Sequence, residues 1–295
     1  HCPIVGFLWR YMRLLSLLPP CILNILISLV FFITATRFQL ALKGGSAVLA
    51  TSAMAVWAAF YSLTAVVLSR RQNERNATFI IETALVLLVL DMMGFAMLGG
   101  LKMQFVWLGL SGIGCAGFFA PFQLFLKQFY SAQDENKSIS LQAALYLFSW
   151  SSGYAGGNLL TAWIWGKLDP ENGWKICYLI TGGLILLVLL GVEFGRRWAA
   201  RRLPPPESGV GADGGNMASA GAELPQKFNF LWLMVVVGVG GCLSIAVIRS
   251  PLNLHLEANS ISLMSRSIVL ALLTYVQALV GLSFYRSRFW PYRPW

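Results

Sequence analysis

Eight stretches of this chain are each long enough and apolar enough to cross a bilayer, and few folds can absorb that much uninterrupted apolar sequence. Their approximate bounds are 18–37, 46–68, 77–98, 104–126, 141–166, 174–195, 228–249 and 264–284. A helix needs about 20 residues to span the hydrocarbon, and within lipid it satisfies its own backbone hydrogen bonds. Barrel strands are shorter and alternate polar with apolar residues, which these runs do not. Composition agrees: 57% of the 295 residues are apolar and 12% charged, against about 25% charged in a soluble domain. The expected fold class is therefore all-α integral membrane, with about eight transmembrane helices.

The formal charge is +10. The basic residues form short clusters between apolar runs rather than one patch, which points to membrane topology and a lipid bilayer, with no nucleic-acid partner expected. With the N-terminus in the cytoplasm and the loops assigned alternately, fifteen of the 22 Lys and Arg residues fall on the inner side, the bias expected of cytoplasmic loops. The chain is accordingly expected to be multi-pass in the plasma (cytoplasmic) membrane. Residues 1–17, with Arg10 and Arg13, suit an interfacial segment on the cytoplasmic face. Residues 18–195 hold six spans. Residues 196–227 begin with Arg196-Arg197, run through Pro204-Pro205-Pro206 and turn rich in Gly, Ala and Ser, as expected of a cytoplasmic linker. Residues 228–295 begin a second bundle.

Chemistry-bearing patterns are sparse. None of the five cysteines forms a C-x-x-C pair, and they read as small buried hydrophobes. There are two histidines and no H-E-x-x-H, Walker loop or G-x-S-x-G. No enzyme activity, metal or cofactor is expected.

The second bundle restarts the first. The first span ends at Arg37 and the seventh at Arg249. Leu40 and Leu42 match Leu252 and Leu254; Ser46, Tyr61 and Leu68-Ser69 then match Ser260, Tyr275 and Leu282-Ser283. Both copies run helix, arginine, outer loop, helix, basic inner loop. After the second span the chain reads Val66-Val67-Leu68-Ser69-Arg70-Arg71-Gln72-Asn73-Glu74-Arg75, and the fifth holds Gly153-Tyr154-Ala155-Gly156-Gly157-Asn158-Leu159-Leu160-Thr161-Ala162. Six helices, a cytoplasmic tether and a parallel restart resemble the major facilitator superfamily, whose two six-helix halves are related by an axis along the membrane normal. The first motif resembles that family's G-x-L-S-D-R-x-G-R-R loop through Leu68, Ser69, Arg71 and Arg75, with Val66, Arg70 and Asn73 in place of glycine, aspartate and glycine. The second resembles the family's G-x-x-x-G-P-x-x-G-G antiporter motif, with Asn158 in place of proline.

The resemblance implies secondary active transport of a small solute by alternating access. Twelve helices would make a whole family member, so the chain is expected to be truncated four helices short at its C-terminus. It implies a gating loop at Arg71 and Arg75, and a solute path lined from Asn24, Thr34, Arg37, Gln123, Trp150, Tyr154, Asn158 and Arg249. Arg37 and Arg249, at repeat-related outer ends, suit either an anionic solute or lipid headgroups. Asp91 is expected to pair with Arg37 or to serve a coupling ion as a proton site. Glu82 and Glu193 are expected to meet inner-loop arginines, and Trp163, Trp165 and Trp174 to form an aromatic belt. Gly109, Gly112 and Ala116, and Ser149, Gly153, Gly157 and Thr161, form stripes suited to close helix packing. Two other readings remain open: a proton-coupled drug efflux antiporter, and a non-transporting receptor or scaffold on the same fold.

The span assignment makes a direct prediction. In a cysteine-free background, Lys43→Cys and Arg71→Cys are labelled by an impermeant maleimide from opposite sides of the membrane; labelling from one side would remove it.

Overall fold

The computed structural model describes residues 17–41, 47–73, 76–98, 100–127, 135–168, 172–202, 252, 255–256 and 258–286. The described residues hold seven long helices and no strand: α1 (Leu18–Ala41), α2 (Ala47–Ser69), α3 (Ala77–Met97), α4 (Leu101–Lys127), α5 (Glu135–Lys167), α6 (Gly173–Arg202) and α7 (Leu263–Arg286). Each coincides with one expected apolar run. The run at 228–249, the interfacial segment at 1–16 and the linker from 203 to 227 lie outside the described residues. α6 passes residue 195 and enters the expected linker as far as Arg202. The added turn is Arg- and Ala-rich, which favours helix, and Glu193 pairs with Arg196 and Arg197 at helical spacing.

Three helical segments, Ala77–Met97, Leu101–Phe122 and Gly173–Arg197, are long and apolar enough to cross a membrane. Shorter apolar stretches occur at Leu18–Thr34, Met54–Ser69 and Leu263–Val276. The surface pattern is that of a membrane protein. On α7 the buried face is Ser267, Leu270, Ala271 and Thr274, while Ile268, Leu272, Leu273 and Val276 point outward. On α6 Leu179, Leu187 and Leu190 point outward. A water-soluble bundle has the reverse arrangement.

Packing is set by small residues. α1 contacts α2, α4, α5 and α6; α4 lies between α2 and α3; α6 packs on α3; α7 packs on α5. In lipid, helices gain little from burying apolar surface against each other, so close backbone approach decides which pairs form. A Cβ on Gly157 would fall 2.6 Å from the Ile25 carbonyl oxygen, and one on Gly153 would overlap that of Cys21. Only glycine admits α1 at that distance. Gly112 makes the same approach to α2, where a Cβ would stand 2.5 Å from the Trp57 carbonyl oxygen.

The antiparallel α3–α4 seam is a ladder in one register. Gly94 faces Trp107, Leu88 faces Gly114 and Ala84 faces Gly117; between them Asp91 faces Ser111. Steps of three or four residues along α3 are matched by three or four back along α4, as i, i+3 and i+4 neighbours on a helix require. At the α2–α3 turn, Asn73 and Asn76 exchange hydrogen bonds: each side-chain oxygen accepts from the other's backbone N–H, at 2.7 and 2.9 Å. The Asn76 amide also donates to the Arg71 carbonyl at 2.9 Å.

Gly153→Ala and Gly157→Ala should each destabilise the bundle by about 1–3 kcal/mol through overpacking. Gly183→Ala, with nothing within 4 Å of the new methyl, should be neutral or slightly stabilising. Thermal melts of the purified protein in one detergent compare them directly.

Candidate functional site

Hydrocarbon around a helix makes each enclosed polar group conspicuous, and the described residues gather several at one place. Where α1, α3, α4 and α6 meet, Asp91 is 1% exposed. The Ser111 hydroxyl of α4 lies beside its carboxyl. Cys115, one turn along α4, and Tyr178 of α6 stand within electrostatic reach of the same carboxyl. The Tyr178 phenol neighbours the Thr34 hydroxyl of α1, and that hydroxyl donates to the Gln104 side-chain oxygen of α4 at 3.4 Å. Neither Asp91 oxygen completes a hydrogen bond among the described residues, nor do the Ser111 and Tyr178 hydroxyls or the Gln104 amide nitrogen.

An aromatic stack holds the cluster in place. Phe95 of α3 lies parallel to Tyr178 with ring centroids 4.8 Å apart, and Trp174 meets the same ring edge-on at 6.1 Å. Arg37 sits over the Trp174 ring, 3.7 Å from its centroid, a cation–π contact. Arg37 and Asp91 both act electrostatically on Tyr178, and the ion pair expected between them does not form among the described residues: neither Asp91 oxygen has a partner. Matching depth along α1 and α3 was not sufficient, because Arg37 is seated on Trp174 of α6 instead.

The remaining expected path residues divide. Asn24 is fully buried in the α1–α5 seam, its amide donating to the Pro20 carbonyl at 2.8 Å. Asn158 lies in the same seam and accepts a 2.8 Å hydrogen bond from the Ser28 hydroxyl. Trp150 and Tyr154 stack on each other along α5 with centroids 5.3 Å apart. The side chains of Gln123, Arg75 and Arg249 lie outside the described residues. Arg71 is exposed at the α2–α3 turn.

Two further expectations meet different outcomes. Where the start of α3 meets the end of α6, Glu193 accepts from Arg196 at 2.7 Å and from Arg197 at 2.6 Å, and Arg196 reaches Glu82 of α3 at 3.7 Å, as expected of those acids. The aromatic belt is corrected. Trp163 is 58% exposed, but Trp165 and Trp174 are 7% and 8% exposed; Trp165 folds over Gly173 at the start of α6, and Trp174 carries Arg37.

Tyr178, Gln104 and the buried Arg266 of α7 were not singled out by the sequence. Depth offered a signal for the first two: Tyr178 lies early in α6 and Gln104 early in α4, the level at which Arg37 and Asp91 leave α1 and α3. Compared with known protein families and with curated protein sequences, the chain matches none.

The Ser28–Asn158 bond joins side chains of α1 and α5. A double-mutant cycle with Ser28→Ala and Asn158→Ala should give a coupling of about 0.6 kcal/mol and at most roughly 1.7 kcal/mol, the range for interhelical bonds in membranes; zero coupling would mean the seam rests on the glycine contacts alone.

Proposed function

We propose that the chain is part of a secondary active transporter of the plasma membrane. On this reading its N-terminus is cytoplasmic, and it moves a small solute by alternating access on a major-facilitator-like plan. The observation that carries the reading is the Asp91–Tyr178–Arg37 cluster. Ionisable groups enclosed among membrane-crossing helices are expensive, and they characteristically mark solute or ion pathways. Arg37, half-buried over Trp174 at the end of α1, supplies a cation backed by an aromatic face, which suits an anionic organic solute. Six helices that pack as one unit, followed after the linker by α7 against α5, agree with a first half and the beginning of a second.

The efflux-antiporter reading is weaker. Asn158 stands where the antiporter motif has proline, and there it accepts a bond from Ser28 and holds α5 against α1. Proline would instead kink the helix.

The test is uptake into proteoliposomes holding the purified complete protein that contains this chain. Radiolabelled acetate, succinate, glutamate, phosphate and glucose are offered under an imposed proton or sodium gradient. An anion should accumulate, and Arg37→Ala and Arg249→Ala should each lower its uptake about tenfold, equivalent to 1.4 kcal/mol. Undiminished uptake by both variants would remove the arginines from the path. No accumulation of any probe by a well-folded complete protein would favour the non-transporting receptor or scaffold.

A further inference from the structure

We propose that Asp91, Ser111 and Tyr178 form a binding site for one monovalent cation, a proton or Na⁺, at the junction of α1, α3, α4 and α6. The site itself rests on geometry; its use in coupling rests on the transport reading above.

The first ground is the enclosed carboxyl. Asp91 is 1% exposed, and neither of its oxygens is hydrogen-bonded among the described residues. A bare carboxylate in that position costs several kcal/mol. Such a group is found neutralised, by a proton or by a bound cation. The second ground is independent of the first. The hydroxyls of Ser111 and Tyr178 are both buried, Ser111 beside the carboxyl and Tyr178 within its electrostatic reach, and neither has a hydrogen-bond partner among the described residues. Three unsatisfied oxygen-bearing side chains from three helices are what a hard cation takes as ligands, and native interiors seldom leave such groups idle.

Charge decides the valence. α3 packs against α4 and α6. The titratable groups facing Asp91 from them are Cys115 and Tyr178, with Cys177 beside Tyr178, and all are neutral in their ordinary state. Arg37 is seated on Trp174 and acts electrostatically on Tyr178. One negative charge therefore calls for one positive charge. A divalent ion would leave an excess charge in the hydrocarbon, and among the described residues no group of three His, Cys, Asp or Glu is placed to hold a metal. The α3–α4 ladder fixes the carboxyl opposite Ser111, so an arriving ion finds its ligands already placed.

Purified full chain in detergent tests this without any gradient or solute. Binding of ²²Na⁺ is measured at several pH values in choline chloride, and the infrared carbonyl band of a protonated carboxyl is followed through an alkaline titration. Saturable ²²Na⁺ binding at one ion per chain, lost in Asp91→Asn, identifies Na⁺. A protonated-carboxyl band present in the wild type and absent from Asp91→Asn identifies the proton. Tyr178→Phe and Ser111→Ala, each removing one oxygen, should weaken Na⁺ binding severalfold or shift the pH at which the band disappears, and they decide the matter if Asp91→Asn fails to fold. Neither saturable Na⁺ binding nor such a band in the wild type overturns the proposal, as do binding and a band unchanged in every variant. A complete protein that binds the cation yet moves no solute keeps the site and overturns the transport reading.

Discussion

Close approach between helix backbones is the constraint on which the other features of the bundle depend. Lipid is as apolar as leucine, so burying leucine between two helices adds little; what separates a specific pair from a chance one is how near the backbones come. Gly153 and Gly157 bring α5 onto α1 where any larger residue would strike a carbonyl oxygen. Gly112 does this for α4 and α2, and Gly114 seats Leu88 of α3. Because α4 carries glycines on two faces, it is held between α2 and α3 and its rotation is fixed. Ser111 is next to Gly112 and one turn before Cys115, so fixing that rotation also delivers Ser111 to Asp91. The polar cluster is a product of the glycine register.

The same constraint explains why the cluster persists. A charged side chain near a helix end can extend toward the headgroups, as long arginines and lysines do. Asp91 is too short for that, and it lies in a ladder whose steps on either side are closed by Trp107 over Gly94 and Leu88 over Gly114. Arg37, three residues beyond Thr34, has the length to leave and instead lies on Trp174. The guanidinium is thus held on an aromatic ring while the carboxyl is left without it. That separation leaves the carboxyl available to a mobile ion, which a direct ion pair would exclude.

Much of the fold was legible because length and apolarity act locally. Seven of the expected spans coincide with helices, since a run of some twenty apolar residues leaves few alternatives. The small-residue stripes were legible from spacing alone, and Glu82 and Glu193 met the arginines their depth assigned them. What could not be read was azimuth. Sequence places Asn24 and Asn158 inside their helices, but only the α1–α5 contact turns both into the seam. It places Trp163, Trp165 and Trp174 near one interface, yet two of the three turn inward because Gly173 leaves room for Trp165 and α1 presents Arg37 to Trp174. It sets Arg37 and Asp91 at one level without revealing that Arg37 turns onto Trp174 instead. The end of α6 was misjudged for a different reason: arginines that signal a cytoplasmic boundary are also good helix formers.

The seams also differ in what would let them move. α1 and α5 are locked by two glycine–carbonyl approaches and by the Ser28–Asn158 bond; α3 and α6 are tied at one end through Arg196 and stacked through Phe95 and Tyr178. Sliding any of these would separate backbones that fit at only one distance. The α5–α7 contact is of another kind. It presents Ser267, Ala271 and Thr274 as a smooth, small-residue face, the Thr274 hydroxyl turns back to the Leu270 carbonyl at 3.0 Å, and Tyr275 touches Phe148 edge-on at 6.3 Å. Interiors packed this tightly tend to switch as rigid units rather than deform.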